Sequence, residues 1–302
     1  MQFTGVYPSL HSAKRIAHAT GLPKELTGHN HQLPSFRTFP LQKGERKKES
    51  STSSSEKEVQ ASAFVEYVDD CLGEYGFSLA VDGKKHLSSI VGEVLDNAER
   101  HSDRREWWIG GYLQNRPSGE LASCQVTLFN FGSTIYDSLQ TLPRESLLRN
   151  EIQALIDRHT GFGSFGRSYS EEELWTLYAL QAGVSRYNDE VGKIGTNGQG
   201  TADMIQFFQA LGQSLDSELE PEMCLVSGQS HITFDRRYSQ SEERIDGEKR
   251  RVIAFNDEND LYRPPDHRNV RRLGRYLPGT MISMRFYLDS SYLHRVTEDS
   301  NG

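Results

Sequence analysis

The 302-residue chain holds only three cysteines, Cys71, Cys124 and Cys224, and they stand far apart. None has metal-ligand spacing, which excludes a zinc finger or a disulfide scaffold. The odd, scattered set reads as free thiols in a reducing compartment. Long apolar runs are missing as well. None approaches the roughly 20 residues that cross a bilayer, and the first residues lack the apolar core of a secretion signal. The expectation is a cytoplasmic protein with no membrane partner. Excess positive charge is also absent, since 34 Lys and Arg face 42 Asp and Glu, giving a net charge of −8. Phosphate neutralisation supplies most non-specific affinity for nucleic acid, so this balance argues against nucleic acid as a partner. One local exception spans Arg263 to Arg275, whose five arginines read as a solvated connection before the last strand.

Hydrophobic residues make up 35% of the chain, enough for one large domain with polar appendages. Residues 1–41 read as an N-terminal appendage with a short helical pattern near Leu10–Ala19. His29 and His31 have no Cys or carboxylate cluster beside them and read as an exposed loop rather than a metal site. Residues 42–60, with Lys47, Lys48 and the run Ser51-Thr52-Ser53-Ser54-Ser55, read as a polar, flexible linker. The main domain is expected over 61–290, followed by a tail over 291–302.

Within that domain, Phe64, Tyr67, Val68, Cys71, Leu72 and Tyr75 fall at helical spacing. Strands are expected at Trp107–Leu113, Ser123–Phe129, Met223–Phe234, Arg251–Phe255 and Thr280–Leu288. Further helices are expected at Leu147–Arg158 and Glu171–Ala182, the second opened by Ser170 and three glutamates. Gly161, Gly163 and Gly166 imitate a dinucleotide loop, but they follow a helix rather than a strand. The fold class is α/β, a two-layer sandwich whose mixed sheet is covered by helices on one face.

One helical segment carries chemistry. Leu87, Ile90, Val91, Val94 and Ala98 form an apolar stripe, and Glu93, Asn97 and His101 fall four apart on the stripe beside it. A carboxylate one turn before a carboxamide suits water activation beside Mg²⁺. The carboxylate takes a proton, and the amide oxygen is a hard ligand. Far downstream, Gly192 to Thr201 is a glycine-rich loop opening a helix with Met204, Ile205, Phe207, Phe208 and Leu211. Its backbone N–H groups and the helix dipole form a cradle for phosphates.

Taken together, these motifs resemble the GHKL ATPase superfamily, which includes gyrase B, heat-shock chaperone, MutL and histidine-kinase nucleotide domains. Glu93-x-x-x-Asn97-Ala98-x-x-His101 is similar to its N box, and Gly198-Gln199-Gly200-Thr201 to its second glycine box. Asn130-Phe131-Gly132 stands at the end of a strand where the family has Asp-x-Gly, and Pro278-Gly279-Thr280 resembles its closing Gly-Thr strand. The resemblance implies a Bergerat-type fold, ATP and Mg²⁺ as cofactors, slow ATP hydrolysis, and a lid over about 137–195 that closes on the triphosphate. It assigns catalysis to Glu93 and the metal to Asn97. Nucleotide binding falls to Asn97, Asn130, Gly132, Lys193, Gly195, Asn197, Gly198, Gln199, Gly200, Thr201 and Thr280. Arg186 stands beside Lys193 as a second cation for the γ-phosphate. His101 reads as a structural support. Asn130 in place of Asp implies weaker or less adenine-selective binding, because an amide both donates and accepts.

The implied partner is a protein or a second copy of the chain that responds to lid closure. Two other readings stand beside this one. The stretch from Asn97 to Ser102 also resembles protein kinases of the anti-sigma-factor type. The third reading is a binding module whose nucleotide is structural only.

Overall fold

The computed structural model describes residues 36–45, 56–73, 77–101, 106–114, 123–160, 169–184, 200–211, 221–245, 248–287 and 293–295. Strand β1 (Phe36–Glu45) is followed by helix α1 (Glu56–Gly73), strand β2 (Phe77–Leu79) and helix α2 (Val81–His101). Next come β3 (Glu106–Gln114), β4 (Ser123–Phe131), α3 (Ile135–Gln140), α4 (Leu147–Thr160), α5 (Glu171–Tyr178) and α6 (Gly200–Leu211). The chain continues with β5 (Glu222–Phe234), β6 (Ser241–Ile245), β7 (Glu248–Val252), β8 (Val270–Tyr287) and β9 (Leu293–Arg295).

Five strands form the main sheet in the order β1-β3-β4-β8-β5. Each pairing is antiparallel, which corrects the expectation of a mixed sheet. The connections explain this. β3 and β4 are consecutive, and β5 reaches β8 through the β6–β7 hairpin and a loop that returns at the same end, setting Val270 opposite Ile232. A parallel pair would need a crossover along the whole sheet.

Alternation along β4 sends Cys124, Val126 and Leu128 toward the helices, where they join one large core. α1 contributes Phe64, Val65, Val68, Cys71 and Leu72, spaced at three and four as an amphipathic helix requires. α2 contributes Leu87, Val91, Val94 and Leu95. Two ion pairs, Lys57 with Asp96 and Lys84 with Asp69, tie α1 to α2, and Asp69 also accepts from the Leu79 N–H at 2.7 Å. No described helix is long and apolar enough to cross a membrane.

Three boundaries differ from the sequence reading. The sheet starts at Phe36, so part of the expected appendage and linker is its edge strand. Pro40 lies where the register slips between Phe39 and Gln42, and an edge strand tolerates a residue without an N–H. α1 begins at Glu56, inside the expected linker, because Glu56 and Glu58 favour the helix's positive end. β8 begins ten residues earlier than expected, so Val270–Arg272 is paired strand rather than solvated connection. Its arginines are engaged: Arg271 donates to His231 Nδ1 at 2.9 Å and Arg272 to Gln229.

The described part of the expected lid is packed structure. Leu139, Leu142, Ile152, Ile156, Leu174, Trp175 and Tyr178 build a second core among α3, α4 and α5. α5 docks on β5, where Thr176 Oγ1 meets Ser230 Oγ at 3.1 Å. A mobile cover does not bury a tryptophan completely, as Trp175 is here. His29, His31 and the glycines Gly161, Gly163 and Gly166 lie outside the described residues.

Candidate functional site

The end of β4 meets the end of α2. Asn130, only 3% exposed, points from β4 into the helix layer. Its Nδ2 donates to the Ala98 carbonyl at 3.1 Å, and its Oδ1 accepts from the Thr280 N–H at 3.0 Å. α2 ends at His101, so the Ala98 carbonyl is among the last four of the helix and has no partner within it. Asn130 therefore fastens the helix that carries Glu93 and Asn97 to the strand that carries Thr280. One Nδ2 hydrogen and one Oδ1 lone pair remain for a ligand.

Glycines let the backbone close up at this point. Gly132 has φ +136° and donates to the Pro278 carbonyl at 3.2 Å. Gly279 has φ +140°, and a Cβ there would collide with the Asn130 carbonyl oxygen and sit 2.8 Å from Phe131 Cα. Glycine alone fits. These contacts explain why Gly279-Thr280 lies directly across from Asn130-Phe131.

Ser227 was missed by the sequence reading. It is fully buried on β5, and its Oγ accepts from the Ile135 N–H at 2.9 Å, meets Thr280 Oγ1 at 2.9 Å and lies 3.2 Å from the Gly279 carbonyl oxygen. The signal available was a lone hydroxyl in the apolar run Cys224-Leu225-Val226-Ser227. Thr134 caps α3 reciprocally with Asp137, its Oγ1 accepting from the Asp137 N–H at 3.0 Å.

Glu93 is half-buried on α2, a turn before Asn97. The side chains of Asn97 and His101 lie outside the described residues, as do Arg186, Lys193, Gly195, Asn197, Gly198 and Gln199. Gly200 and Thr201, the end of that loop, open α6. α6 sets Met204, Ile205 and Phe208 in the same core as the α2 stripe and packs against α2. The structure thus joins the end of α2, the helix of Glu93 and Asn97, to Asn130 and Thr280, and packs α6, the helix after the glycine loop, on α2. Glu93 and Asn97 offer oxygen donors one turn apart. Mg²⁺ takes one or two protein oxygens and completes its shell with phosphates and water, so the donor set fits that ion. No cluster of three or more His, Cys, Asp or Glu suited to a metal occurs among the described residues.

Two titratable groups near this core, Glu172 and Tyr276, are shifted upward. Burial pushes the Glu172 carboxyl above its ordinary value, against the opposing pull of the Gln229 N–H that it accepts at 2.6 Å and of Arg272. Burial, then Asp137 and Glu172, raise the Tyr276 hydroxyl likewise. All three cysteines are free and buried, and burial pushes the Cys224 thiol up to about 12. No family model, curated protein or solved structure matches the chain.

Proposed function

We propose that the chain is a GHKL-type, Mg²⁺-dependent ATP-binding protein that hydrolyses ATP slowly and signals its nucleotide state to a protein partner or a second copy. One observation carries this reading. Asn130 joins the Ala98 carbonyl to the Thr280 N–H, uniting three motifs that lie up to 182 residues apart and belong together in that family. The packing of α6 on α2 supports it, because the helix that follows the glycine loop rests against the helix that carries Glu93 and Asn97.

In this reading Glu93 orients an attacking water and takes its proton. Asn97 offers its amide oxygen to Mg²⁺, which when bound neutralises charge on the phosphates. Gly198 to Thr201 receive the phosphates on backbone N–H groups and on the positive end of α6. Gly132 lets the base approach β4, where Asn130 and Thr280 meet its edge. Catalysis rests on positioning and charge stabilisation. Single-turnover assays of Glu93→Ala test it. The variant should bind a non-hydrolysable ATP analogue as wild type does and release no phosphate, whereas unchanged turnover removes Glu93 from the mechanism.

A specific observation favours a second reading. Asn130 already serves the protein by fastening α2 to β8, which suits a module whose nucleotide site is structural. Phosphate release from wild type no faster than the uncatalysed reaction, with binding intact, would select that reading.

A further inference from the structure

Helix α6 carries a single charged residue, Asp203, in its first turn. Its Met204, Ile205 and Phe208 face the core. Asp203, Gln206 and Gln209 fall three apart and form a polar stripe beside that apolar one. Each member of the polar stripe is gripped from outside the helix. Arg251 of β7 pairs with Asp203 Oδ1 at 2.6 Å and donates to Gln206 Oε1 at 2.7 Å. Gln209 donates to the Tyr238 carbonyl at 3.2 Å and accepts from the Gln240 N–H at 3.0 Å. Apolar packing is non-directional and leaves a helix free to slide or turn, whereas directed bonds at three points fix its position. Arg251 itself stands on a firm base. Its carbonyl accepts from the Ala182 N–H at 3.1 Å, and the Gln181 amide accepts from the Ile253 N–H at 2.9 Å and donates to the Ile253 carbonyl at 3.1 Å. Glu242 lies directly across the β6–β7 hairpin from it. The Arg251 side chain is 19% exposed and that of Asp203 51%, so the cation is the anchored member of the pair.

We propose, resting on the nucleotide reading above, that Arg251 is a positioning residue that fits the start of α6 to a multiply charged phosphate chain. Helix side chains lean toward the N-terminus, so the Asp203 carboxylate lies near the level of Gly200 and Thr201. The N–H groups of those two residues have no partner within the helix and attract an anion. A bare carboxylate beside them opposes the same anion. The Arg251 guanidinium cancels that charge, and its two bonds, one turn apart on α6, hold the helix end in place. A lysine would supply the charge without the fork. Arg251 thus acts through α6, and its effect grows with the charge of the ligand. A nucleoside triphosphate benefits most and a free nucleoside not at all.

The test titrates the full chain with adenosine, AMP, ADP and a non-hydrolysable ATP analogue. Arg251→Ala should weaken the analogue about fivefold, the effect of a unit charge about 8 Å away in a partly solvated site. The loss should shrink through ADP and AMP and vanish for adenosine. Adding Asp203→Asn to Arg251→Ala should restore most of the affinity, because the opposing charge is gone. Asp203→Asn alone, at a half-exposed position, should bind the analogue tighter than wild type by a similar factor, and it keeps the test decisive if Arg251→Ala does not fold. Equal losses for adenosine and the analogue, no recovery in the double variant, or an unchanged Asp203→Asn would overturn the role of Arg251. Wild-type binding that Arg251→Ala leaves unaltered overturns it as well and spares the nucleotide reading, whereas a wild-type chain that binds no nucleotide ends both.

Discussion

Asn130→Asp replaces a carboxamide that donates to the Ala98 carbonyl and accepts from the Thr280 N–H with a carboxylate that only accepts. The Thr280 bond survives and gains about 1 kcal/mol through its charge. The Ala98 carbonyl loses its donor, which costs about 1–3 kcal/mol at a buried position. Holding a carboxylate there with one hydrogen bond adds a penalty on the order of 2 kcal/mol, even after local relaxation. The net destabilisation at pH 7 is about 3 kcal/mol, or about 6–12 °C in Tm for a domain of this size. Burial and the facing carbonyl oxygen raise the new carboxyl above its unfolded value of about 3.9. The folded state then holds the proton more tightly than the unfolded state does. The deficit is therefore smallest below pH ~4 and grows as pH rises through the folded value. Urea unfolding at constant m, measured from acid to neutral pH, reads this directly. Equal stability of variant and wild type at pH 7, or a deficit that shrinks as pH rises, would refute the bridge. The same change adds an ionised acceptor at the base, so preference for adenine over guanine nucleotide should increase.

Gly279→Ala forces a side chain at φ +140° against the Asn130 carbonyl oxygen, and should cost about 3 kcal/mol or more, seen as a lowered urea midpoint or loss of soluble protein. Ser227→Ala orphans the Ile135 N–H and the Thr280 hydroxyl and should cost about 1–3 kcal/mol, with Ser227→Thr losing less if the new methyl is accommodated. Glu172 has a raised carboxyl, so its contribution is full below the ordinary Glu value and is lost as pH rises through the folded one. Glu172→Gln keeps an acceptor for the Gln229 N–H and should raise the urea midpoint at pH 7 but not in acid; a gain confined to acid would reverse the sign. Asn97→Ala should weaken nucleotide binding in Mg²⁺ and leave it unchanged in EDTA, as read by titration in each buffer.

Much of the fold was legible because periodicity reports burial. The α2 stripe, the alternation along β3 and β4 and the run of β5 each have one face in the core, and the sequence repeats at the matching interval. β1 was hidden because it is an edge strand. It carries Pro40 at a register slip and Lys43 on its exposed side, and both read as linker. Gly44 looks like a turn residue, yet it is a packing residue with the Trp107 ring against its backbone. The start of β8 was hidden by Arg271 and Arg272, whose partners, His231 and Gln229, lie some 40 residues away. In the proposed site, residue type and spacing singled out Glu93, Asn97, Asn130 and Thr280. Its fastening was not legible, because Asn130 grips the carbonyl of Ala98, and a backbone acceptor leaves no mark on residue type. Ser227 gave only a hydroxyl in an apolar run, and only the fold shows that it completes the network around Thr280.

The central claim is a site for ATP with Mg²⁺ between α2, the end of β4 and the start of α6. Calorimetric titration of the wild-type chain with a non-hydrolysable ATP analogue, with and without Mg²⁺ and beside a melting curve, tests it most directly. The account predicts one saturable site per chain, tighter with Mg²⁺, and a higher melting temperature in the complex. Neither heat nor a melting shift at millimolar analogue, with the protein folded, would contradict it.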